Sequence, residues 1–173
     1  MKRMAQQLTL NRAKHNSGFT LVEIMIVVAI IALLAAIAIP SVLRGRTSAN
    51  EAASVGNTRA LVSSLEMYRS VNNAYPATAN WRANMYLDAT PPYGPPAFNA
   101  ASPVTVQGYI YTFTSGGAQT YTWTATPATP GTTGSRGFFV DESGVVRHCR
   151  CAGTTCNNAA VGSLTLDAQP AAC

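Results

Sequence analysis

The chain has 173 residues, with 12 Lys and Arg against 7 Asp and Glu, and a formal charge of +5. That length supports one domain with appendages rather than several. Lys2, Arg3, Arg12 and Lys14 all precede Phe19, and setting these four aside leaves eight basic and seven acidic side chains, a net of +1. The basic excess belongs to the extreme N-terminus, so composition gives no argument for nucleic-acid binding by the remainder.

Residues 1–18 are basic and polar, with no apolar core of their own. Residues 19–39 are the opposite: 21 residues in which Glu23 is the sole charged side chain. At about 1.5 Å rise per residue a helix of this length covers roughly 31 Å, the hydrocarbon thickness of a bilayer. We read it as a membrane span. An ordinary secretory signal carries its apolar region before the cleavage site, whereas here it follows the polar segment. Four positive charges ahead of the span place the N-terminus in the cytoplasm and the C-terminal part outside. Arg44 and Arg46 oppose this orientation, and Glu51 partly offsets them.

Glu23 is the anomaly in the span. A carboxylate inside an apolar helix costs about 2.5–3.5 kcal/mol even on lenient insertion scales and is usually functional or paired. A first-turn position softens that cost, because a helix N-terminus favours negative charge. The plainer alternative is a glutamate that snorkels toward the headgroups.

Gly18, then Phe19-Thr20-Leu21-Val22-Glu23, then an unbroken apolar helix with Pro40 behind it, resembles the N-terminus of a type IV prepilin. The resemblance implies that a membrane prepilin peptidase cuts between Gly18 and Phe19 and N-methylates the new Phe19 terminus. Residues 1–18 would then be a cleaved leader, somewhat long for the family, and the anchor would stay on the mature chain. It further implies that Glu23 acts in assembly by reaching the Phe19 amine of a neighbouring subunit. The motif is shared by type IV pilins and type II secretion pseudopilins and does not separate them.

Pro40 removes one helical hydrogen bond and is expected to kink the helix. Helical spacing resumes beyond it, with Leu61, Leu65 and Tyr68 at i, i+4 and i+7 on one face as core candidates, and Arg59, Glu66 and Arg69 elsewhere. We therefore expect one long helix over residues 19–72, transmembrane over 19–39 and bent near Pro40, ending at Asn72-Asn73. Asn73-Ala74-Tyr75-Pro76 matches an N-x-Tyr-Pro element that closes this helix in the family, and Pro76 alone already disfavours helix at Tyr75.

Residues 77–105, rich in Pro, Ala, Asn and Thr, read as a long loop with a helical turn around residues 81–87. In the family this αβ loop shapes contacts between subunits. Alternation of period two follows: Tyr109, Tyr111 and Phe113 share one strand face, Ser115-Gly116-Gly117-Ala118 is a turn, and Tyr121, Trp123 and Ala125 repeat the pattern. Residues 137–140 and 145–148 flank Asp141-Glu142-Ser143-Gly144 as a second hairpin. A further short strand at Leu164-Thr165-Leu166 is compatible with the pattern. The expected class is α+β, a long N-terminal helix packed on an antiparallel meander of about four strands, the pilin fold. Residues 138–147 also resemble a segment near the C-terminus of major pilins.

Cys149, Cys151, Cys156 and Cys173 close the chain within the head of residues 73–173. In an oxidising compartment an even count argues for disulfides. Three connectivities exist, and a Cys149–Cys151 bridge is disfavoured by disulfide geometry. We expect Cys149 or Cys151 to pair with Cys173. A zinc site from His148, Cys149, Cys151 and Cys156 is the sharper alternative, but the spacing lacks the usual paired C-x₂₋₄-C motifs, so no metal is expected. Asp141 and Glu142 are the sole candidates for weak Ca²⁺ binding, and two carboxylates fall short of a full oxygen cage. No nucleophile–base pair or phosphate loop can be assembled, so neither catalysis nor a cofactor is expected.

These readings converge on a structural subunit of a type IV pilus. It would wait in the bacterial inner membrane with its head outside, then polymerise with itself through the N-terminal helix on an inner-membrane assembly platform. Its partners would be the lipid bilayer, the peptidase, the platform and other copies of itself. The resulting extracellular filament would belong to the adhesion, motility and DNA-uptake class. The alternative is a major pseudopilin of a type II secretion system, and a remoter one is a membrane-anchored extracytoplasmic binding module.

Overall fold

The computed structural model describes residues 18–153, together with Cys156 and Cys173. The leader over residues 1–17 and the short strand expected at Leu164-Thr165-Leu166 lie outside these residues. The chain divides into two units, Met1–Ile39 and Pro40–Cys173. Helix α1 (Leu21–Asn72) contributes to both, and Pro40 lies inside it.

In the first unit α1 is apolar on every side. No side chain of residues 21–39 is buried, and large residues such as Leu21, Ile31 and Ile37 are more than half exposed. A surface helix of a water-soluble protein would turn one polar face outward. This one has none, and α1 is long and apolar enough to cross a membrane.

In the second unit α1 acquires a facing stripe. Glu51, Ser54, Thr58, Leu61 and Leu65 are all buried, spaced three and four residues apart as one helical face requires. Leu61 and Leu65 are fully buried, as their spacing implied. Tyr68, expected on the same stripe, is half-buried and meets Tyr93 edge-on with ring centroids 5.2 Å apart. Both rings pack against the edge of the core.

Asn73 ends α1. Its φ of 53° is left-handed, and its N–H reaches the Arg69 carbonyl at 2.8 Å, an asparagine in the role glycine usually takes. Tyr75 then turns inward. Its N–H bonds the Ala118 carbonyl at 2.9 Å, its ring packs on Tyr121 at 4.6 Å, and its hydroxyl donates to Glu66 Oε1 while accepting from Arg69 Nη1. The Asn73-Ala74-Tyr75-Pro76 element thus ties the helix end to the sheet.

Residues 77–103 form a loop, ending just before the first strand, with 3₁₀ turns at Thr78–Asn80 and Pro96–Phe98 and a π-helical turn at Ala83–Leu87. It is pinned from within, because Trp81, Met85, Tyr86 and Phe98 are all buried in the core.

The sheet has five antiparallel strands in sequential order: β1 (Val104–Val106), β2 (Tyr109–Ser115), β3 (Tyr121–Pro127), β4 (Arg136–Asp141) and β5 (Arg147–Arg150). The expected meander of about four strands is present with β1 added. Gln107 and Gly108 join β1 to β2, both at positive φ, which is the two-residue turn that matches strand twist. Tyr109, Tyr111 and Phe113 of β2, Tyr121, Trp123 and Ala125 of β3, and Phe138 and Val140 of β4 face the main core. On β4 the alternation puts Phe139 on the opposite face, where it clusters with Cys149, Cys156 and Cys173. The C-terminal cysteines therefore cover an aromatic side chain that the sheet alone would leave wet.

Candidate assembly site

The N-terminus of α1 is built around Thr20 and Glu23. Glu23 Oε2 accepts from the Thr20 N–H and from Thr20 Oγ1, both at 3.0 Å, while Thr20 Oγ1 accepts from the Glu23 N–H at 3.2 Å. This is a capping box, two helix-end donors satisfied reciprocally by residues three apart. The pattern Thr20-x-x-Glu23 before an apolar run is its sequence signature, a local signal independent of the charge of Glu23. In this position Glu23 is bonded within its own first turn. Both bonds to the carboxylate use Oε2, and Phe19, directly ahead, is 83% exposed.

Inside the head a second carboxylate is buried. Glu51 Oε1 accepts from the Ser135 N–H and Oγ, both at 2.7 Å, and Oε2 accepts from Arg136 Nε at 2.8 Å and pairs with Nη2 at 2.7 Å. One turn earlier Thr47 Oγ1 donates to the Thr132 carbonyl and Asn50 Nδ2 to the Thr133 carbonyl. The face Thr47, Asn50 and Glu51 thereby clips the segment leading into β4 onto the helix. Burial raises the Glu51 pKa, but the bonds from Ser135 and Arg136 outweigh it and hold the carboxyl below its ordinary 4.5. Sequence reading used Glu51 as a surface counter-charge. Its place in the stripe with Leu61 and Leu65, at multiples of three and four residues, was the available signal.

Asp141 and Glu142 diverge. Asp141 Oδ1 accepts from the Ser143 N–H and Oγ, and Oδ2 pairs with Arg147 Nη2 at 2.7 Å, while Glu142 is exposed. The guanidinium also lies 5.1 Å over the Phe139 ring. Burial raises the Asp141 pKa, and the Ser143 and Arg147 bonds bring it below 3.8. A Ca²⁺ ion at this turn would have to displace a cation already bonded to its first carboxylate.

Residues 13–39 match the family model of the prokaryotic N-terminal methylation motif. The chain is 34% identical over 102 residues to the type II secretion system core protein G of Pseudomonas aeruginosa, covering 48% of this chain and 72% of that protein. It is 38% identical over 78 residues to the type IV wide pilus major component PilA4 of Thermus thermophilus, covering 45% and 60%. The core protein G of Escherichia coli is 39% identical over 61 residues, covering 35% and 42%. The chain belongs to the type IV pilin family. Secretion pseudopilins share that family's N-terminal motif, and both kinds stand among these relatives. No solved structure matches the chain. It spans 72% of the first of these relatives and less than two thirds of the other two.

In this chain the cysteines pair as Cys149–Cys173, with Cα atoms 5.8 Å apart, and Cys151–Cys156, 4.5 Å apart. Cys149 takes the partner expected of either Cys149 or Cys151, and the second bridge is local. None of the four is a free thiol. The sulfurs of Cys151, Cys156 and Cys173 lie within 4.8 Å of one another, yet a zinc site needs thiolates, which disulfide sulfurs are not. The two bridges close loops of different length, with sequence separations of 24 and 5. On loop-closure entropy, losing Cys149–Cys173 will destabilise the head by roughly 1 kcal/mol more than losing Cys151–Cys156, within about 2–5 kcal/mol for either. Thermal melting of the paired Cys→Ala variants checks the order, and equal losses would show that the loops do not govern the effect.

Proposed function

We propose that this chain is a structural subunit of a type IV pilus, made as a prepilin, cleaved after Gly18 and polymerised through residues 19–39. The observation that carries the reading is the helix over 21–39, apolar all round and with no side chain buried among the described residues. Lipid would cover it before assembly and neighbouring helices afterward. The subunit would wait in the inner membrane with its head outside and leave it on an assembly platform for the extracellular filament. Its chemistry is that of self-association. No enzyme is proposed, and its relatives are named as secretion-system and pilus components.

A major pseudopilin is the second reading, favoured by the secretion-system protein that aligns over 102 residues. For the pilus stand the long internally pinned loop over 77–103 and the segment 138–147. Deleting the chain's gene and viewing cells by electron microscopy separates the two. Loss of long surface filaments supports the pilus, whereas intact filaments with exported enzymes trapped in the periplasm replaces it with the pseudopilin.

Processing gives a sharper expectation. Gly18 has open space around the position of a Cβ, so a larger residue there meets no clash among the described residues. Gly18→Leu will nonetheless keep the leader attached and abolish assembly while insertion persists, because the peptidase must approach the backbone at this bond. Intact-mass measurement of the membrane-extracted protein decides it. A mature chain starting anywhere but Phe19 sinks the assignment.

A further inference from the structure

Two grooves flank α1 where residues 43–50 meet the segment between β3 and β4. One is lined by Leu43, Arg46, Asn50, Gln107, Gly108 and Thr132, the other by Leu43, Arg44, Thr47 and Thr132. Each holds one arginine, and both share the apolar Leu43. Arg44 and Arg46 are exposed, and neither is ion-paired among the described residues. The nearest acid along the helix, Glu51, is already bonded to Ser135 and Arg136. These two cations run against the charge asymmetry that orients the span, so orientation does not account for them.

We propose that the Arg46 groove, with Arg44 beside it, binds the phosphate of an anionic phospholipid headgroup. Arg44 and Arg46 lie five and seven residues beyond Ile39, roughly 7–10 Å along a helix, at the depth where a bilayer's polar layer follows its hydrocarbon. A guanidinium offers two parallel N–H groups that fit a phosphate. The groove supplies more. Gln107 uses Oε1 to accept from Asn57, leaving its Nε2 group as a donor, and Asn50 donates one amide hydrogen to the Thr133 carbonyl and keeps another. Gly108, at φ +77°, keeps the groove open, since a Cβ there would come within 3.0 Å of Thr133 Cβ and 3.3 Å of Asn50 Nδ2. Leu43 favours a lipid over a free anion, because an inorganic phosphate has no use for an apolar wall.

The inference rests on the membrane-anchored reading, and the test separates the two. The full chain is incorporated into nanodiscs of phosphatidylcholine alone and of phosphatidylcholine mixed with phosphatidylglycerol, then released for native mass spectrometry. Failure to enter either disc would overturn the membrane reading itself. If the chain enters, we expect phosphatidylglycerol adducts several-fold above the bilayer proportion. They should fall to that proportion in Arg44→Gln/Arg46→Gln and persist in Arg59→Gln, whose arginine lies farther along the helix. Adducts at the bulk proportion, or unchanged in the double variant, overturn the site. Displacement by millimolar inorganic phosphate would show a free anion as the ligand and overturn the lipid.

Discussion

Glu51→Ala will destabilise the head by roughly 2–4 kcal/mol, more than any ordinary surface substitution. The carboxylate is 6% exposed and receives four donor contacts from Ser135 and Arg136. Removing it leaves the Ser135 N–H and hydroxyl without their acceptor, at about 1–3 kcal/mol for a buried unsatisfied group. Arg136 can turn to water, because its side chain is 45% exposed. The converse variant is harsher. Arg136→Ala strands a buried carboxylate, for which the usual cost is about 3–5 kcal/mol. Chemical denaturation of the two variants should therefore rank Arg136→Ala as the more destabilised, and equal stability with the parent in both would make the pair ornamental. The pH dependence follows from the same bonds. Glu51 and Asp141 both have folded pKa values below their ordinary 4.5 and 3.8. Their stabilisation is complete above the unfolded values and is lost as pH falls through the folded ones. The head should thus lose stability below about pH 4.5, and Glu51→Gln should flatten part of that limb.

Legibility from sequence tracked how far apart the deciding residues lie. The apolar span and its length, the helix stop at Asn73, and the alternation of Tyr109, Tyr111 and Phe113 are local patterns, and each element sits where its pattern placed it. Strand β1 escaped because Val104-Thr105-Val106 is three residues long and follows a proline-rich loop. The Gln107-Gly108 turn was its one local cue, and only pairing with β2 makes it a strand. The role of Glu51 escaped for a different reason. Its partners lie 84 and 85 residues away, so nothing near it in sequence announces a buried charge. Asp141 is the nearer case, since its cationic partner Arg147 stands six residues on, across the turn that the sequence pattern marks. The pairing of the cysteines likewise depends on β5 and the C-terminus meeting over Phe139, a contact that spacing does not encode.

Glu23→Ala and Glu23→Leu will leave leader cleavage and membrane insertion intact yet cut filament formation on the order of a hundredfold. Each change makes the span more apolar, so hydrophobic burial alone would favour assembly. Cleavage after Gly18 would free an amine on Phe19, charged at neutral pH because an α-amine has a reference pKa of about 7.7–8.0. In an otherwise uncharged run, that amine and Glu23 are the two opposite charges available to neighbouring helices. Breaking one side of such a desolvated pair costs about 3–5 kcal/mol, and each 1.4 kcal/mol is tenfold in docking. The capping box refines the expectation. Thr20 fixes Glu23 through Oε2, so the carboxylate is held at the helix start before any partner arrives. Thr20→Val removes the hydroxyl but keeps the charge and the backbone N–H, and should reduce filament yield far less than Glu23→Ala. Filament yield is read by shearing and quantitative immunoblotting beside a membrane-fraction control. A Glu23→Ala strain with parental yield would make Glu23 a helix cap and nothing more. A Thr20→Val strain as defective as Glu23→Ala would move the deciding interaction from the charge to the cap.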